Sequence, residues 1–415
     1  MGGTFTQDIF YSFKGYSHLL VLDVVHCGGK PGTLYRLTED ALITDYVKIA
    51  GVSAALVNSA LVTLVSLLLL YLSKEPPNGF TLVELGLMAG FSLFGKNIVN
   101  IWPIIAGTFL YAKARREPFG KYVSVSLLAT ALAPVVSYVA LDNGFGNLWW
   151  GIAVGLLIGF VLPPLATHVH YAHKGYSLYN VGFASGIIAT VVVSVMKSFG
   201  VTTESRLIWS TGNNRLFLFV LCGLFLSMMG GALVLGGKEV FAAYGRILKT
   251  TGISGTDYLK SEGGPATTFN MGLCGLFATL FVAAVGGDLN GPTIGGIFTI
   301  VGFCSTGKHL RNIAPIMFGV VLGGFTKHWH VNQPSPLLAL LFSTTLAPVA
   351  GEFGWIVGIL AGFLHSSVAL NVGIVYGGMN LYNNGFAGGI VAIFMVPVIH
   401  SIEDRRARAR GEISL

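Results

Sequence analysis

The chain has 415 residues, 53% of them apolar and only 10% charged, with a mean hydropathy of +0.71. A typical soluble domain carries about 25% charged residues, so this balance excludes a water-soluble globular enzyme and points to a polytopic membrane protein. The formal charge of +7 is no nucleic-acid footprint, because the basic residues lie in links between apolar runs and not along one face.

Residues 1–44 are the least readable part, with a Gly-Gly-Lys-Pro-Gly turn at Gly28 to Gly32. Leu19 to Val25 is too short for a cleavable signal and carries Asp23. From Asp45 to Gly107 the chain reads DYVKIAG…NGFT…GFSLFGKNIVNIWPIIAG. The same pattern returns, 212 residues later and without a gap, from Asp257 to Gly319 as DYLKSEG…NGPT…GFCSTGKHLRNIAPIMFG. Downstream, LLATALAPV ending at Val135 returns as LFSTTLAPV ending at Val349, and LYNVGFASGIIA from Leu178 returns as LYNNGFAGGIVA from Leu381. The offset falls from 214 to 203 between these blocks, so the link near Leu141 to Asn147 is longer in the first copy. Nearly the whole chain is one duplicated unit, which is how many membrane transporters are built.

Apolar runs occur at about 53–73, 79–95, 98–112, 122–140, 149–172 and 180–199 in the first copy. An extra run at 215–235 opens the second, followed by about 266–286, 292–306, 310–326, 337–350, 353–375 and 381–400. Nothing before Asp45 plays the part of the opening run. Several runs are short for a bilayer core of about 30 Å, which takes close to 20 helical residues. The expected organisation is a segment at 1–44, a first membrane repeat at 45–200 and a second at 201–415. The expected fold is all-α: a polytopic integral membrane protein of two inverted-topology repeats with about 13 transmembrane or half-spanning helices.

Basic residues set the expected orientation. The link from Tyr111 to Lys121 carries Lys113, Arg115, Arg116 and Lys121 and belongs in the cytosol, whereas its repeat partner, Gly323 to Pro336, has one Lys and two His. Arg405, Arg406, Arg408 and Arg410 follow the last apolar run, which puts the C-terminus in the cytosol too. Corresponding links thus face opposite sides.

Candidate functional residues are those that recur. Lys96, Asn100 and Pro103 return as Lys308, Asn312 and Pro315. Proline breaks a helix, and a Lys and an Asn at such a break supply donors; here they are expected at the vestibules. Tyr179 and Asn180 return as Tyr382 and Asn383, offering amides and aromatic faces without net charge, which suits a small polar solute. Asn58 and Asn270 lie inside apolar runs, where an unpaired amide is expensive; they either bridge helices or touch the solute. Asn78-Gly79 with Thr81, and Asn290-Gly291 with Thr293, read as helix N-caps. His168, His170 and His173 lack both a zinc-site spacing and an accompanying carboxylate. Glu84, Glu352 and His365 are isolated ionisable residues in or near runs, and the counterpart of Glu84 is Gly296. Cys27, Cys222, Cys274 and Cys304 have no metal-ligand spacing. No catalytic set, metal site or cofactor is expected.

LITDYV, NGFT, GFSLFGKNIVNIWPI and TALAPVVS resemble a family of bacterial inner-membrane proteins of unknown function with a duplicated domain. That resemblance implies a location in the bacterial inner membrane and brings no mechanism. More distantly, NGPTIGGIFTIVGF and LYNNGFAGGIVA are similar to the urea-transporter pattern, although Pro292 is displaced from its place there. The likeness implies a channel or carrier and leaves urea itself unsupported.

The expected function is therefore transport or channel conduction of a small polar solute at the interface of the repeats, and not an enzyme. The expected partners are the lipid bilayer and a small-molecule solute, with a homo-oligomer as an option and no nucleic acid. The rival reading is a membrane subunit of a redox or assembly complex with no solute of its own, which a cofactor absorbance in the purified protein would favour.

Overall fold

In lipid every backbone N–H and C=O must find a partner within the protein, so long apolar runs fold as helices. The computed structural model describes residues 43–142, 147–201 and 207–410. The first copy comprises α1 (Tyr46–Leu72), α2 (Gly79–Phe91), α3 (Trp102–Ala114), α4 (Gly120–Leu141), α5 (Leu148–His173) and α6 (Asn180–Ser198). Then come α7 (Asn214–Gly236) and a short α8 (Glu239–Ile247). The second copy follows as α9 (Tyr258–Ala284), α10 (Gly291–Phe303), α11 (Leu310–Thr326), α12 (Pro334–Phe353), α13 (Trp355–Val372) and α14 (Asn383–Ala409). All thirteen expected runs are helices; α8 was not expected. Among the described residues, nine helices are long and apolar enough to cross a membrane. Short strands β1 (Ile43–Thr44) and β2 (Leu207–Ile208) pair in parallel and bring the starts of the two copies together.

Local chemistry repeats with the sequence. Asn78 and Asn290 are the expected N-caps, each completing a reciprocal capping box with Thr81 or Thr293. Gly51 and Gly263 kink α1 and α9 at the same place, with φ/ψ of 82/167° and 84/168°, a conformation open to glycine alone. One residue, Gly354, joins α12 to α13 where residues 142–147 separate α4 from α5, and α5 has 26 residues against 18 in α13; link and helix together make the first copy the longer one here, as read from the sequence.

The copies meet along two helix pairs. On the α2–α10 pair, Gly79 lies against Ser305, Gly86 against Phe298 and Gly302, and Gly90 against Gly295. One number rises as the other falls, so the helices are antiparallel. The reciprocal contacts, Gly291 against Leu93 and Gly302 against Val83, are also present, as an approximate two-fold axis between Gly86 and Phe298 requires. Such an axis lies perpendicular to both helices. With the helices along the bilayer normal it lies in the membrane plane, and the repeats are inverted. The second pair, α6 and α14, meets through its first turns: Gly182 against Tyr382, Gly385 against Tyr179, Gly186 against Phe386 and Gly389 against Phe183.

Burial follows from this arrangement. The apolar windows of α4 and α12 are both 83% buried, whereas that of α7 is 17% buried. Large apolar side chains such as Phe219, Val234, Phe325 and Ile356 are exposed, the surface expected where lipid is the solvent.

Within each repeat one helix pair packs backbone to backbone. A Cβ on Gly107 (α3) would lie 2.1 Å from the Leu156 carbonyl oxygen, and one on Gly159 (α5) 1.9 Å from that of Ile104. A Cβ on the counterparts in α11 and α13, Gly319 and Gly362, would lie 2.0 and 1.9 Å from the Ile359 and Ile316 oxygens. Such small-residue contacts drive helix association in lipid. Gly159→Val should therefore lose about 2 kcal/mol or more by overpacking, seen as a lowered melting temperature in detergent. Gly223→Ala, on α7 with nothing within 4 Å of the new Cβ, should change nothing; equal melting of the two variants would refute the packing argument.

Candidate functional site

Each repeat interrupts its helices at three matching places. In the first, α2 ends at Phe91 and the chain turns through Lys96 before α3, α4 passes through a 3₁₀ turn at Thr130–Leu132, and α6 starts only at Asn180. In the second, the matching breaks follow Phe303, occupy Ser343–Leu346 and precede Asn383. Helices α2 and α10 have 13 residues each, about 20 Å at 1.5 Å per residue. They fall short of a core of about 30 Å, so the turn after each stays inside the bundle.

Four amides hold these turns. Asn58 Nδ2 donates to the carbonyl oxygens of Ser92 (2.7 Å) and Lys96 (2.9 Å), and Asn270 Nδ2 to those of Cys304 (2.7 Å) and Lys308 (2.8 Å). Asn100 donates to the Gly95 carbonyl at 3.0 Å and accepts from the Asn97 N–H at 2.8 Å; Asn312 does the same with Gly307 and His309, both at 2.9 Å. Of the two alternatives left open for Asn58 and Asn270, the bridging one describes their geometry. Gly95 has φ +89°, and a Cβ there would lie 2.5 Å from the Leu381 side chain, so this turn admits only glycine.

The lysines are not at vestibules. Lys96 and Lys308 are both fully buried, because the turns that carry them lie within the bundle. Lys308 Nζ donates to Tyr179 Oη at 2.5 Å and Thr344 Oγ1 at 2.8 Å, and sits 4.4 Å from the Tyr179 ring centre and 5.1 Å from that of Phe303. Lys96 Nζ meets the Met88 thioether at 3.3 Å and lies 5.2 Å from the Phe91 ring centre. Among the described residues neither lysine meets a carboxylate. A cation–π contact contributes about 0.5–2 kcal/mol, and a position just past a helix C-terminus about 0.3–1 kcal/mol. Burying an ammonium costs several kcal/mol, more than these local contacts return to a protonated lysine.

The tyrosines join the repeats. Tyr179 belongs to the first copy, yet its hydroxyl reaches Lys308 of the second. The chain ahead of α6 rests on the other copy's 3₁₀ turn: Leu178 N–H donates to the Thr345 carbonyl and Tyr179 N–H to Thr345 Oγ1, both at 3.0 Å. Reciprocally, Leu381 N–H donates to the Ala131 carbonyl at 3.2 Å. Tyr179 and Tyr382 meet edge to face at 5.3 Å between ring centres, and Phe91 stands 4.7 Å from Tyr382. The buried hydroxyl of Tyr382 has no hydrogen-bond partner among the described residues.

The paired amides part company. Asn180 is turned toward α5, donating to the Ala166 carbonyl at 2.8 Å and lying 3.0 Å from His173 Nε2. Asn383 faces a cavity of about 50 Å³, lined also by Phe94, Leu338, Phe342 and Asn384. Its Oδ1, like that of Asn384, is buried without a partner. Phe342 separates this cavity from the cluster, its ring 6.3 Å from Tyr179 and 5.8 Å from Phe91. Thr130 and Thr344, which the sequence reading passed over, were marked by the repeat of TALAPV as TTLAPV. No group of three His, Cys, Asp or Glu able to hold a metal occurs among the described residues. Cys274 and Cys304 are buried free thiols and Cys222 a partly buried one, while Cys27 lies outside the described residues.

Duplicated, inverted helical repeats with broken helices at their seam define a polytopic all-α membrane protein. A family model described as protein of unknown function (DUF1576) matches residues 33–198 and again 237–401. The chain belongs to that family, and the double match is the duplication itself. Residues 1–51 are similar to the hydrogenase maturation protease model; most of them lie outside the described residues. No curated protein and no solved structure matches the chain.

Proposed function

We propose that this protein is a transporter or channel, not an enzyme, that passes a small polar solute across the bacterial inner membrane along the seam between its repeats. The observation that carries the reading is the polar cluster of Lys96, Lys308, Tyr179, Tyr382, Thr130 and Thr344, buried where broken helices of both repeats converge. Polar and ionisable groups inside a membrane are costly and mark solute pathways, and transporters place such sites at discontinuous helices between repeats. The cavity beside Asn383 shares Phe342 with the cluster's surroundings, since that ring lies 6.3 Å from Tyr179. On this reading the partners are the bilayer and the solute.

Flux of small polar solutes into proteoliposomes tests it. Asn383→Ala should reduce flux while leaving the melting temperature unchanged, since its buried Oδ1 holds no partner. Asn180→Ala should lower both, losing about 1–2 kcal/mol with its two hydrogen bonds. Absence of flux for every solute tried, or full flux in Asn383→Ala, refutes the proposal. The orientation has its own check. Single cysteines replacing Glu117 and Gln333, in matching links, should react with an impermeant thiol reagent from opposite sides of the membrane, with Glu117→Cys on the cytosolic side.

A further inference from the structure

We infer that the solute is a small anion, bound between Lys96 and Lys308 and hydrogen-bonded by the Tyr382 hydroxyl; this rests on the transport reading above. Both lysine amino groups are fully buried, occupy matching positions across the two-fold, and meet no carboxylate among the described residues. Lys308 spends two donors on Tyr179 and Thr344, whereas the partner found for Lys96 Nζ is a thioether, a weak acceptor. The buried acid on the same helix as Met88, Glu84, is hydrogen-bonded to Ser124, and its Oε2 has no partner. It therefore neutralises neither lysine.

The lysines follow the C-termini of α2 and α10, and two helix N-termini also face the cluster. Helices α6 and α14 begin directly after Tyr179 and Tyr382, and neither of these N-cap side chains bonds to its helix. Their first N–H groups form the positive ends of two helix dipoles that converge where the tyrosines meet. The Tyr382 hydroxyl, buried and unpartnered, supplies a further donor. With both lysines protonated, two ammonium groups, two helix N-termini and a free hydroxyl outweigh the partial negative charge at the C-termini of α2 and α10. An anion offsets that excess; a neutral solute or a cation does not.

Size narrows the class. The adjoining cavity is about 50 Å³, and on the same measure one water needs roughly 10–15 Å³. A space of that size suits a small ion such as chloride, nitrate or formate. Phe342 lines the cavity and stands 6.3 Å from Tyr179; its repeat counterpart is Leu128.

The test uses the full-length protein in proteoliposomes, with chloride, nitrate and formate as anions, urea and glycerol as neutral solutes, and potassium as the cation. Anion flux is expected to saturate, to exceed neutral and cation flux, and to fall at least tenfold in Lys308→Met and Lys96→Met. Tyr382→Phe, which removes a hydroxyl the fold does not use, is expected to lower it several-fold. Nitrate should raise the melting temperature of the unaltered protein, as a ligand of the folded state must, and that shift should vanish in Lys308→Met. Should either Lys variant fail to stay monodisperse, Tyr382→Phe and the nitrate shift carry the test alone. Neutral or cation flux that equals or exceeds anion flux, with Tyr382→Phe unchanged and no nitrate shift, overturns the anion and leaves transport standing. Absence of flux for all solutes, with the protein folded, overturns both.

Discussion

Asn270→Ala is expected to destabilise the protein by about 2–4 kcal/mol, among the largest effects of any single truncation. Asn270 is fully buried, and its one Nδ2 ties the carbonyl oxygens of Cys304 and Lys308 at 2.7 and 2.8 Å. Those oxygens lie in the buried turn where α10 stops in mid-bundle, so removing the amide strands both. An unsatisfied buried polar group costs about 1–3 kcal/mol. Asn58 serves the same two positions of the first copy, Ser92 and Lys96, but is only partly buried. Asn58→Ala should thus shift the melting temperature in the same direction by less. A larger loss at Asn58 than at Asn270 would contradict this account.

Asp45→Ala is expected to be more damaging still, at about 3–5 kcal/mol, measured by the loss of folded protein on heating in detergent. The Asp45 carboxylate is fully buried and accepts from the Val47 N–H at 2.9 Å, capping α1. It also accepts from the Ser210 N–H at 2.9 Å and Ser210 Oγ at 2.5 Å, and it lies against Gly291 at the start of α10. The negative charge thus complements a helix N-terminus of the other repeat, and its removal strands donors on both sides of the seam. Asp257 is the internal control. It caps α9 and faces the Gly79 N–H at 3.3 Å, but its side chain keeps 18% exposure and pairs with Lys260 at 3.4 Å. Water can replace what it gives, so Asp257→Ala should cost about 1 kcal/mol. Equal losses at the two aspartates would mean that burial is not what separates them.

The sequence reading reached the thirteen runs and the duplication because apolar length and recurrence are written in local residue order. It found the N-caps Asn78 and Asn290 for the same reason: a cap oxygen and the N–H that donates to it lie three residues apart. It misjudged Lys96 and Lys308, placing them at vestibules. A short turn between apolar runs looks like a surface link unless one sees that α2 and α10 stop partway. It also paired Asn180 with Asn383 as equivalents, whereas one is spent on α5 and the other opens on a cavity. The repeats share a pattern there but not their neighbours.

Residue order alone determined the class: an all-helical membrane protein of two copies, with breaks at Pro, Gly and Asn, since those residues limit the backbone locally. Only the tertiary structure decided what the breaks surround. The Tyr179 hydroxyl comes to Lys308 across 129 positions of sequence, through a two-fold that crosses the start of each last helix onto the other copy. Periodicity reports which face of a helix is buried. It carries no information on which charge that face meets, because that depends on the packing of elements distant in the chain.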